Sequence, residues 1–363
     1  MKLDRIVLRH VRNLASVELA PDGGLNLITG PNAAGKSNLC EAIYYAAKGW
    51  PLKGERQRDL IRWGESEALL EFSLGGDQIR FHLNGRARAK TIELNHEKKS
   101  QSDVSALLRV LLFTPDELQI IKGSPEQRRR FLDRSIADVK RDYRALLLEY
   151  EQLLRRKSAL LRSERPDLEL LDVYDEALSE RGAWLVAQRR AYLQTLNQQL
   201  SQRYQQICGQ EAHLHVHYET TLAQSDNLRR ELARQLAQAR REELRRKQTL
   251  VGPHRDDLRF DLNGHDLKRF GSQGEQKSAL CALLLTQVDL HHERFGDYPI
   301  LILDDVLSEL DRARTQRLLQ LLSQNLQIFL THTASVEEEL PGELRRSARR
   351  LYVITAGQIV EKL

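Results

Sequence analysis

The sequence predicts a mixed α/β fold interrupted by a helical domain. Short apolar segments with strand character recur around glycine turns near both ends of the 363-residue chain. Residues 121–250 between them hold three of the 20 glycines and two of the nine prolines, as expected of long helices. We therefore expect residues 1–120 and 251–363 to form one discontinuous domain, and residues 121–250 to form an inserted lid or arm.

The composition excludes several classes of protein. A hydrophobic content of 41% with 29% charged residues fits a folded globular chain and excludes disorder throughout. The apolar runs at 279–288 and 300–303 are shorter than the roughly 20 residues that a bilayer crossing needs. The first residues lack the apolar stretch of an export signal, so we expect a cytoplasmic protein. The wide spacing of Cys40, Cys208 and Cys281 argues against a disulfide framework and a zinc site.

The middle segment has the periodicity of amphipathic helices. Apolar residues recur every three or four positions in three stretches between residues 147 and 236. Ser124, Pro125 and Gln127 predict a helix start, with the serine as N-cap, the proline at the first helical position and the glutamine completing a capping box. The flanking parts instead contain Asn-Gly pairs at 84–85 and 263–264 between strand-like residues, which predicts two hairpins.

A phosphate-binding loop is predicted where the apolar residues 25–29 lead into a G-x-x-x-x-G-K-[ST] string. The string consists of Gly30, Pro31, Asn32, Ala33, Ala34, Gly35, Lys36 and Ser37, and Asn38 follows it. Its glycines let backbone N–H groups face phosphate oxygens at a helix N-terminus. Lys36 would bind the β- and γ-phosphates of ATP, and Ser37 would bind Mg²⁺. The alternative is a glycine-rich turn with an exposed lysine.

A second element of the same chemistry is the apolar strand predicted at 299–303, which ends in Asp304 and Asp305. This is the Walker B pattern. Asp304 would hold Mg²⁺, and Asp305 would act as general base toward the attacking water. Two acids after a strand could instead cap the next helix, but their combination with the phosphate-binding loop favours an ATPase.

A third element lies between these two, at residues 272–276, directly before an apolar helix. Alone, such a string indicates an N-cap; its position before the Walker B strand makes it similar to the signature loop of ABC-type ATPases. That resemblance implies an ABC-type P-loop ATPase head in which two chains enclose two ATP molecules. It adds the following residues to the nucleotide site: Ser272, Gly274, Gln276, the D-loop at 308–311 with Asp311, and His332 at the switch position. Lys36, Asp305 and His332 would be catalytic, although His332 could also be a solvated loop histidine.

Five further strings resemble the RecF family of the SMC-like branch of ABC-type ATPases, in order and spacing across essentially the whole chain. They are Leu8–Asn13, Phe113–Asp116, Lys122–Pro125, Arg128–Asp133 and Val251–Leu258. The resemblance implies an ATP-induced homodimer that uses ATP and Mg²⁺, with Arg12 and Asn13 near the phosphates. It also implies a role in recombinational repair with RecR and RecO, loading the recombinase RecA at gapped DNA.

Some positions depart from the pattern that this resemblance implies, among them Ser37 in place of the commoner threonine and His332, which is unusual for this branch. Ala33 stands where the loop commonly has a glycine, and Asp305 stands where many ABC enzymes have a glutamate. Because aspartate is one methylene shorter, we expect slow hydrolysis that times a switch.

The charge distribution predicts where duplex DNA would bind. Residues 121–250 contain 25 Lys and Arg against 19 Asp and Glu, whereas the rest of the chain contains 31 against 32. A basic surface binds DNA phosphates by counterion release. The candidate residues are Arg128, Arg129, Arg130, Arg155, Arg156, Lys157, Arg240, Arg241, Arg245, Arg246 and Lys247. Such runs are often solvated helix faces instead, and the absence of a base-reading motif predicts sequence-independent binding.

Two other functions are compatible with some of these ATPase motifs. The cytoplasmic ATPase subunit of an ABC transporter has a similar signature loop, but the basic helical insert fits it poorly. A structural SMC-like scaffold would need a coiled-coil arm of hundreds of residues, which this chain lacks.

Overall fold

The computed structural model describes residues 1–50, 57–87, 89–114, 117, 119–222, 227–307, 310–322, 326–333 and 346–361. The chain divides into two compact units, Met1–Asp116 with His291–Leu363, and Glu117–Leu290. The second unit thus extends 40 residues beyond the C-terminal end of the predicted insert.

The first unit contains an antiparallel sheet. Its strands are β1 (Leu3–Val11), β2 (Leu14–Leu19), β4 (Glu67–Leu74), β5 (Asp77–Asn84), β6 (Ala89–Leu94) and β7 (Glu97–Lys98). They lie in the order β2-β1-β4-β5-β6-β7. The predicted hairpin at the first Asn-Gly pair is confirmed as β5 and β6.

A second sheet in this unit is parallel except at one edge. It consists of β3 (Leu25–Thr29), β8 (Val110–Phe113), β12 (Ile300–Asp304), β13 (Ile328–His332), β14 (Ala348–Thr355) and β15 (Gln358–Glu361). The order is β15-β14-β3-β13-β12-β8, and β15 alone is antiparallel to its neighbour. Every residue of β3 and β12 is buried, as is typical of parallel strands covered on both faces.

Helix α1 (Lys36–Lys48) connects the two sheets. It contacts β1 of the antiparallel sheet and β8, β12 and β13 of the parallel sheet. Ten of its 13 residues are buried, and it ends at Gly49, whose φ of 81° is the left-handed conformation that glycine tolerates. The unit also contains a 3-10 helix (Gln57–Leu60), α2 (Gln101–Leu107) and α10 (Arg312–Leu321). The helix that follows the phosphate-binding loop is therefore fixed by core packing on both sides.

The second unit is mainly helical. Its helices are α3 (Gln119–Lys122), α4 (Pro125–Val139), α5 (Arg141–Arg162), α6 (Leu168–Cys208), α7 (Leu228–Arg246), α8 (Leu267–Phe270) and most of α9 (Gln273–Phe295). The three predicted amphipathic helices are confirmed as α5, α6 and α7. The predicted capping box at Ser124 and Gln127 is present at the start of α4. With 41 residues, α6 is about 60 Å long.

A small sheet explains why residues 251–290 belong to the second unit. Strand β10 (Asp257–Leu262) pairs with β9 (Leu214–Glu219) and with β11 (His265–Asp266), which confirms the second predicted hairpin. Arg128 of α4 also forms a bidentate ion pair with Asp257, at 2.6 and 2.7 Å. Because β9 and α4 precede these residues by many positions, the pairing could not be inferred from local sequence.

A buried ion cluster joins α5, α6 and α7. The Lys157 ammonium lies 2.6 Å from Asp175 and 2.5 Å from Glu243, and both Lys157 and Glu243 are fully buried. Arg240 binds Asp172 and Asp175 at its edge. The prediction that Lys157 contacts DNA is therefore wrong, because its charge is neutralised inside the bundle.

Lys157→Met should destabilise the protein by about 3–5 kcal/mol, because Glu243 would stay buried without a cation and Asp175 would keep only Arg240. Urea denaturation followed by circular dichroism measures this. Arg156→Met, an exposed change on the same helix, should shift stability by less than about 0.5 kcal/mol. Equal unfolding midpoints for the two variants would contradict the assigned role of the cluster.

A candidate nucleotide-binding site

The phosphate-binding loop depends on two glycines whose backbone excludes other residues. Gly30 has a φ of 149°, and a Cβ there would lie 2.2 Å from the carbonyl oxygen of Ile354. Gly35 has a φ of 119°, and a Cβ there would lie 2.8 Å from Oδ1 of Asn13. Both positions therefore require glycine for conformational and steric reasons.

Ala33 is in the left-handed region, with a φ of 63°. Such a conformation costs an L-residue roughly 1–2 kcal/mol, which explains why a glycine suits this position. The loop is braced here, because Nδ2 of Asn13 donates to the carbonyl oxygen of Ala33 at 3.0 Å. Nδ2 of Asn38 in turn donates to Oδ1 of Asn13 at 2.8 Å. The two asparagines thus support the loop by their side chains.

Lys36 lies within the loop. Its ammonium donates to the carbonyl oxygens of Gly30, at 2.7 Å, and Pro31, at 2.9 Å. Burial lowers the pKa of Lys36 from its ordinary value, and the nearby charges of Asp305 and Asp304 oppose that shift. The lysine is thus held among loop carbonyls, facing the acids at the end of β12.

An oxygen cluster forms where α1 meets the carboxyl ends of β12 and β13. Oγ of Ser37 donates to Oδ1 of Asp304 at 3.0 Å, and Oγ1 of Thr331 donates to the same oxygen at 2.7 Å. Parallel pairing places Asp304 directly beside Thr331. A serine hydroxyl and a carboxylate suit Mg²⁺, which takes few protein ligands and completes its shell with phosphates and water.

Ser37 and Asp304 offer two side-chain oxygens to a metal ion. Within the described ranges, no group of three or more His, Cys, Asp or Glu side chains is arranged to hold a metal ion. The residues therefore fit a Mg²⁺ ion that arrives with a triphosphate.

Asp305 and His332 lie at the same edge of the parallel sheet. Asp305 has a φ of 55°, and its backbone N–H donates to Oγ1 of Thr331 at 2.8 Å. His332 ends β13 and pairs in register with Thr29, the residue before the phosphate-binding loop. Thr331 was not predicted as a site residue, although its place at the end of the next parallel strand is the signal that could have indicated it.

Two predicted nucleotide-binding residues make other contacts. The Arg12 guanidinium binds both carboxylate oxygens of Glu41 on α1, each at 3.1 Å. Asp311 caps α10 by accepting from the backbone N–H of Arg314 at 2.9 Å. The remaining D-loop residues Ser308 and Glu309 lie outside the described residues, as do Pro115 and Asp116.

The signature loop in the second unit forms a complete capping box at the start of α9. The backbone N–H and the hydroxyl of Ser272 both donate to Oε2 of Glu275, at 2.7 and 2.8 Å. The N–H of Glu275 donates back to Oγ of Ser272 at 3.2 Å. Gln276, next to Gly274 in this loop, is buried and donates to the carbonyl oxygens of Leu267 and Gly271. Gln276 therefore shapes the loop by its side chain.

The predicted DNA-binding residues separate into buried and exposed groups. The prediction of DNA contact is wrong for Arg128 and for Lys157. Arg128 is buried and forms an ion pair with Asp257. Arg129 is partly buried and donates to the carbonyl oxygen of Asp256, while Arg240 is largely enclosed by acids. The residues that remain exposed are Arg130, Arg155, Arg156, Arg241, Arg245, Arg246 and Lys247.

Several of these exposed residues already bind acids. Arg130 pairs with Glu126. Arg245 and Arg246 both bind Glu242, and these hydrogen bonds lower its pKa to about 2. Such exposed pairs are weak and exchange readily with other anions.

Comparison with known proteins agrees with the fold. Residues 2–343 match the family model described as RecF/RecN/SMC N terminal domain. The chain is 35% identical to the DNA replication and repair protein RecF of Desulforamulus reducens, covering 100% of this chain and 99% of that protein. It is 33% identical to the RecF of Geotalea uraniireducens, covering 99% and 100% of the two chains.

Two solved structures have a similar fold. One described as the recombination mediator protein RecF-ATPrS in the RecFOR pathway matches with a TM-score of 0.89 and 29% identity, covering 100% of this chain and 98% of that one. An Smc head bound to the C-winged helix domain of ScpA shares the fold, with a TM-score of 0.59 and 14% identity, over 100% of this chain and 98% of that one.

The phosphate-binding loop, the acid-ended strand and the interrupting helical unit define an ATPase head of the SMC-like, ABC type. Within that class, the chain belongs to the RecF family of DNA replication and repair proteins.

Ala33→Gly should raise the thermal midpoint, by an amount equivalent to about 0.5–1 kcal/mol, because it relieves the left-handed strain at this position. Differential scanning calorimetry measures the change. Ala34→Gly is the matched control: Ala34 is buried and lacks a positive φ, so glycine there should destabilise by a similar amount. Equal losses at both positions would contradict the strain at Ala33.

Proposed function

We propose that this chain is an ATP-dependent DNA-binding clamp of recombinational repair and replication. ATP brings two copies together on duplex or gapped DNA, and slow hydrolysis separates them. The observation that carries the proposal is the convergence of Lys36, Ser37 and Asp304 at one sheet edge, with Asp305 beside them. These are the groups that bind, orient and cleave a triphosphate.

Each residue has a defined part in hydrolysis. The N–H groups of the loop and of the first turn of α1 bind phosphate oxygens, and Lys36 exchanges its carbonyl partners for the β- and γ-phosphates. A Mg²⁺ held by Ser37 and Asp304 would neutralise developing charge. Asp305 accepts the proton of the attacking water, and His332 contacts the γ-phosphate. The short reach of Asp305 keeps turnover slow.

The second copy completes the site. The amides at the N-terminus of α9, with Ser272 and Gly274, suit an anion, and we infer that they bind the γ-phosphate held by the partner. Gln276 maintains the shape of that loop. Asn13 takes part through its hydrogen bond to the loop, Arg12 through its ion pair with Glu41 on α1, and Asp311 through the helix cap.

DNA and protein partners follow from the same proposal. The exposed arginines and Lys247 of the helical unit would bind DNA phosphates without reading sequence. The matching RecF structure is described within the RecFOR pathway. That description supports RecR and RecO as partners in loading RecA at gaps, in the cytoplasm where bacterial DNA lies.

The transporter alternative has less support. The matched relatives are replication and repair proteins. None of the described helices is long and apolar enough to cross a membrane, a finding that does not separate the two functions because such an ATPase subunit crosses no membrane itself.

Lys36→Ala should abolish ATP binding, whereas Asp305→Asn should preserve binding and accumulate an ATP-bound dimer, because it removes the base but no phosphate contact. Sedimentation velocity with ATP and a short duplex reports both states. Wild-type protein that binds duplex DNA equally with ATP, with ADP and without nucleotide would contradict the clamp. Unchanged hydrolysis by Asp305→Asn would contradict the base assignment.

Glu275→Gln should strengthen ATP-dependent dimerisation by about twofold to fivefold. The glutamine keeps the capping box but removes a negative charge from the helix N-terminus that is proposed to receive phosphate. Sedimentation equilibrium with ATP measures the constant. Glu164→Gln, an exposed glutamate in the second unit, makes the same charge change as a control. Weaker or unchanged dimerisation in Glu275→Gln would contradict phosphate binding at this helix.

A further inference from the structure

Two strings that resemble the RecF family lie outside the nucleotide site, yet the fold brings them together. They are Arg128–Asp133 in α4 and Val251–Leu258, which leads into β10. Arg128 is only 4% exposed, and it binds both carboxylate oxygens of Asp257, at 2.6 and 2.7 Å. Burying a guanidinium costs free energy unless its other N–H groups are paired as well. The remaining partner of Arg128 therefore shows what else this residue holds in place.

Arg128 shares that partner with a lysine of another helix. Nη1 of Arg128 donates to the carbonyl oxygen of Gly123 at 2.8 Å, and Nζ of Lys268 in α8 donates to the same oxygen at 3.1 Å. A carbonyl oxygen has two lone pairs and can accept both hydrogen bonds. Both donors are charged, which makes these bonds stronger than neutral ones. The carbonyl of Gly123 thus links α8 to the arginine that joins α4 to β10.

Helix α8 leads directly into the signature loop. It ends where the N–H of Gly271 donates to the carbonyl oxygen of Leu267 at 3.2 Å. A Cβ at Gly271 would lie 2.5 Å from Cδ1 of Leu267, so the chain turns tightly against the helix. Ser272 follows and is exposed. Gln276 ties this helix to α9, and Lys268 ties it to the segment before α4.

We propose that Arg128 and Lys268 position the signature loop for the triphosphate held by the partner copy, through the carbonyl oxygen of Gly123. The inference rests on the proposed function and names positioning residues for that same site. A helix of four residues has little stability of its own, so side-chain contacts fix the orientation of α8. Displacing a contact to reacting groups by about 1 Å can lower a rate by about 100-fold.

The test uses ATP hydrolysis by an equimolar mixture of Lys36→Ala and Ser272→Ala proteins, in which the Lys36→Ala copy supplies the intact signature loop. Arg128→Gln in the Lys36→Ala copy should lower the recovered hydrolysis about tenfold, because the loop loses its support. The same change in the Ser272→Ala copy, whose signature loop is already inactive, should lower it by less than about twofold. A purely structural role would affect both placements equally.

A second variant avoids the buried arginine. Lys268 is exposed, so Lys268→Met should fold normally, and in the copy that supplies the loop it should lower hydrolysis about threefold, less than Arg128→Gln because its bond is exposed. Lys268→Arg should retain the activity, because a guanidinium still donates to Gly123. Adding Lys268→Met to Arg128→Gln should cause no further loss, since both act through one carbonyl.

Arg203→Gln in the copy that supplies the loop is the matched control. It breaks an ion pair with Asp289, at 2.6 Å in the same unit, whose acid lies on α9 about 25 Å along the helix from the signature loop. The recovered hydrolysis should stay unchanged. Calorimetry of each variant shows whether it is folded.

Several results would overturn the inference. Equal losses from both placements of Arg128→Gln would assign the effect to general instability, and no loss from either would remove the positioning role. Losses that multiply in the double variant would show that Lys268 acts separately from Arg128. Should Arg128→Gln fail to fold, equal losses from both placements of Lys268→Met would contradict the inference, and a loss only in the loop-supplying copy would support it. A parent mixture without recovery would refute the proposed function itself.

Discussion

The carboxylate of Asp304 is the interaction on which the nucleotide site depends. It accepts hydrogen bonds from Ser37 at the start of α1 and from Thr331 at the end of β13. These contacts connect the phosphate-binding loop to two neighbouring parallel strands. Because side chains alternate along a strand, a one-residue slip of β12 would turn this carboxylate to the other face and replace it by Asp305 or Leu303. Complete burial of β12 fixes the register and hence the site.

Most local features of the fold could be predicted from the sequence because their causes lie within a few residues. The loop between β3 and α1, the strand β12 and the capping box at Ser124 each combine a short pattern with a clear stereochemical reason. The order of strands in the parallel sheet could not be predicted, since it depends on pairings between residues about 300 positions apart, such as Leu25 with Ile328. Thr331 was missed because its place beside Asp304 depends on which strands are neighbours in the sheet.

The charged helices show that the sequence alone does not reveal which basic residues are exposed. Arg156 and Lys157 are neighbours in one basic run, yet the first is exposed and the second is buried. Successive residues on a helix point about 100° apart, so a run of like charges always covers several faces. Which face lies inside depends on the acids that other helices bring, here Asp175 and Glu243. Counting charges therefore indicated a basic segment but could not identify which of its side chains are exposed to DNA.

Under the proposed function, a triphosphate held by Lys36 of one copy is contacted by Ser272 of another. The most direct measurement is ATP hydrolysis by an equimolar mixture of Lys36→Ala and Ser272→Ala proteins, each inactive alone. A shared site predicts recovery of up to about a quarter of wild-type activity, because half of the dimers are mixed and each has one intact site. A mixture as inactive as its components would contradict the account, since both residues would then serve the same copy.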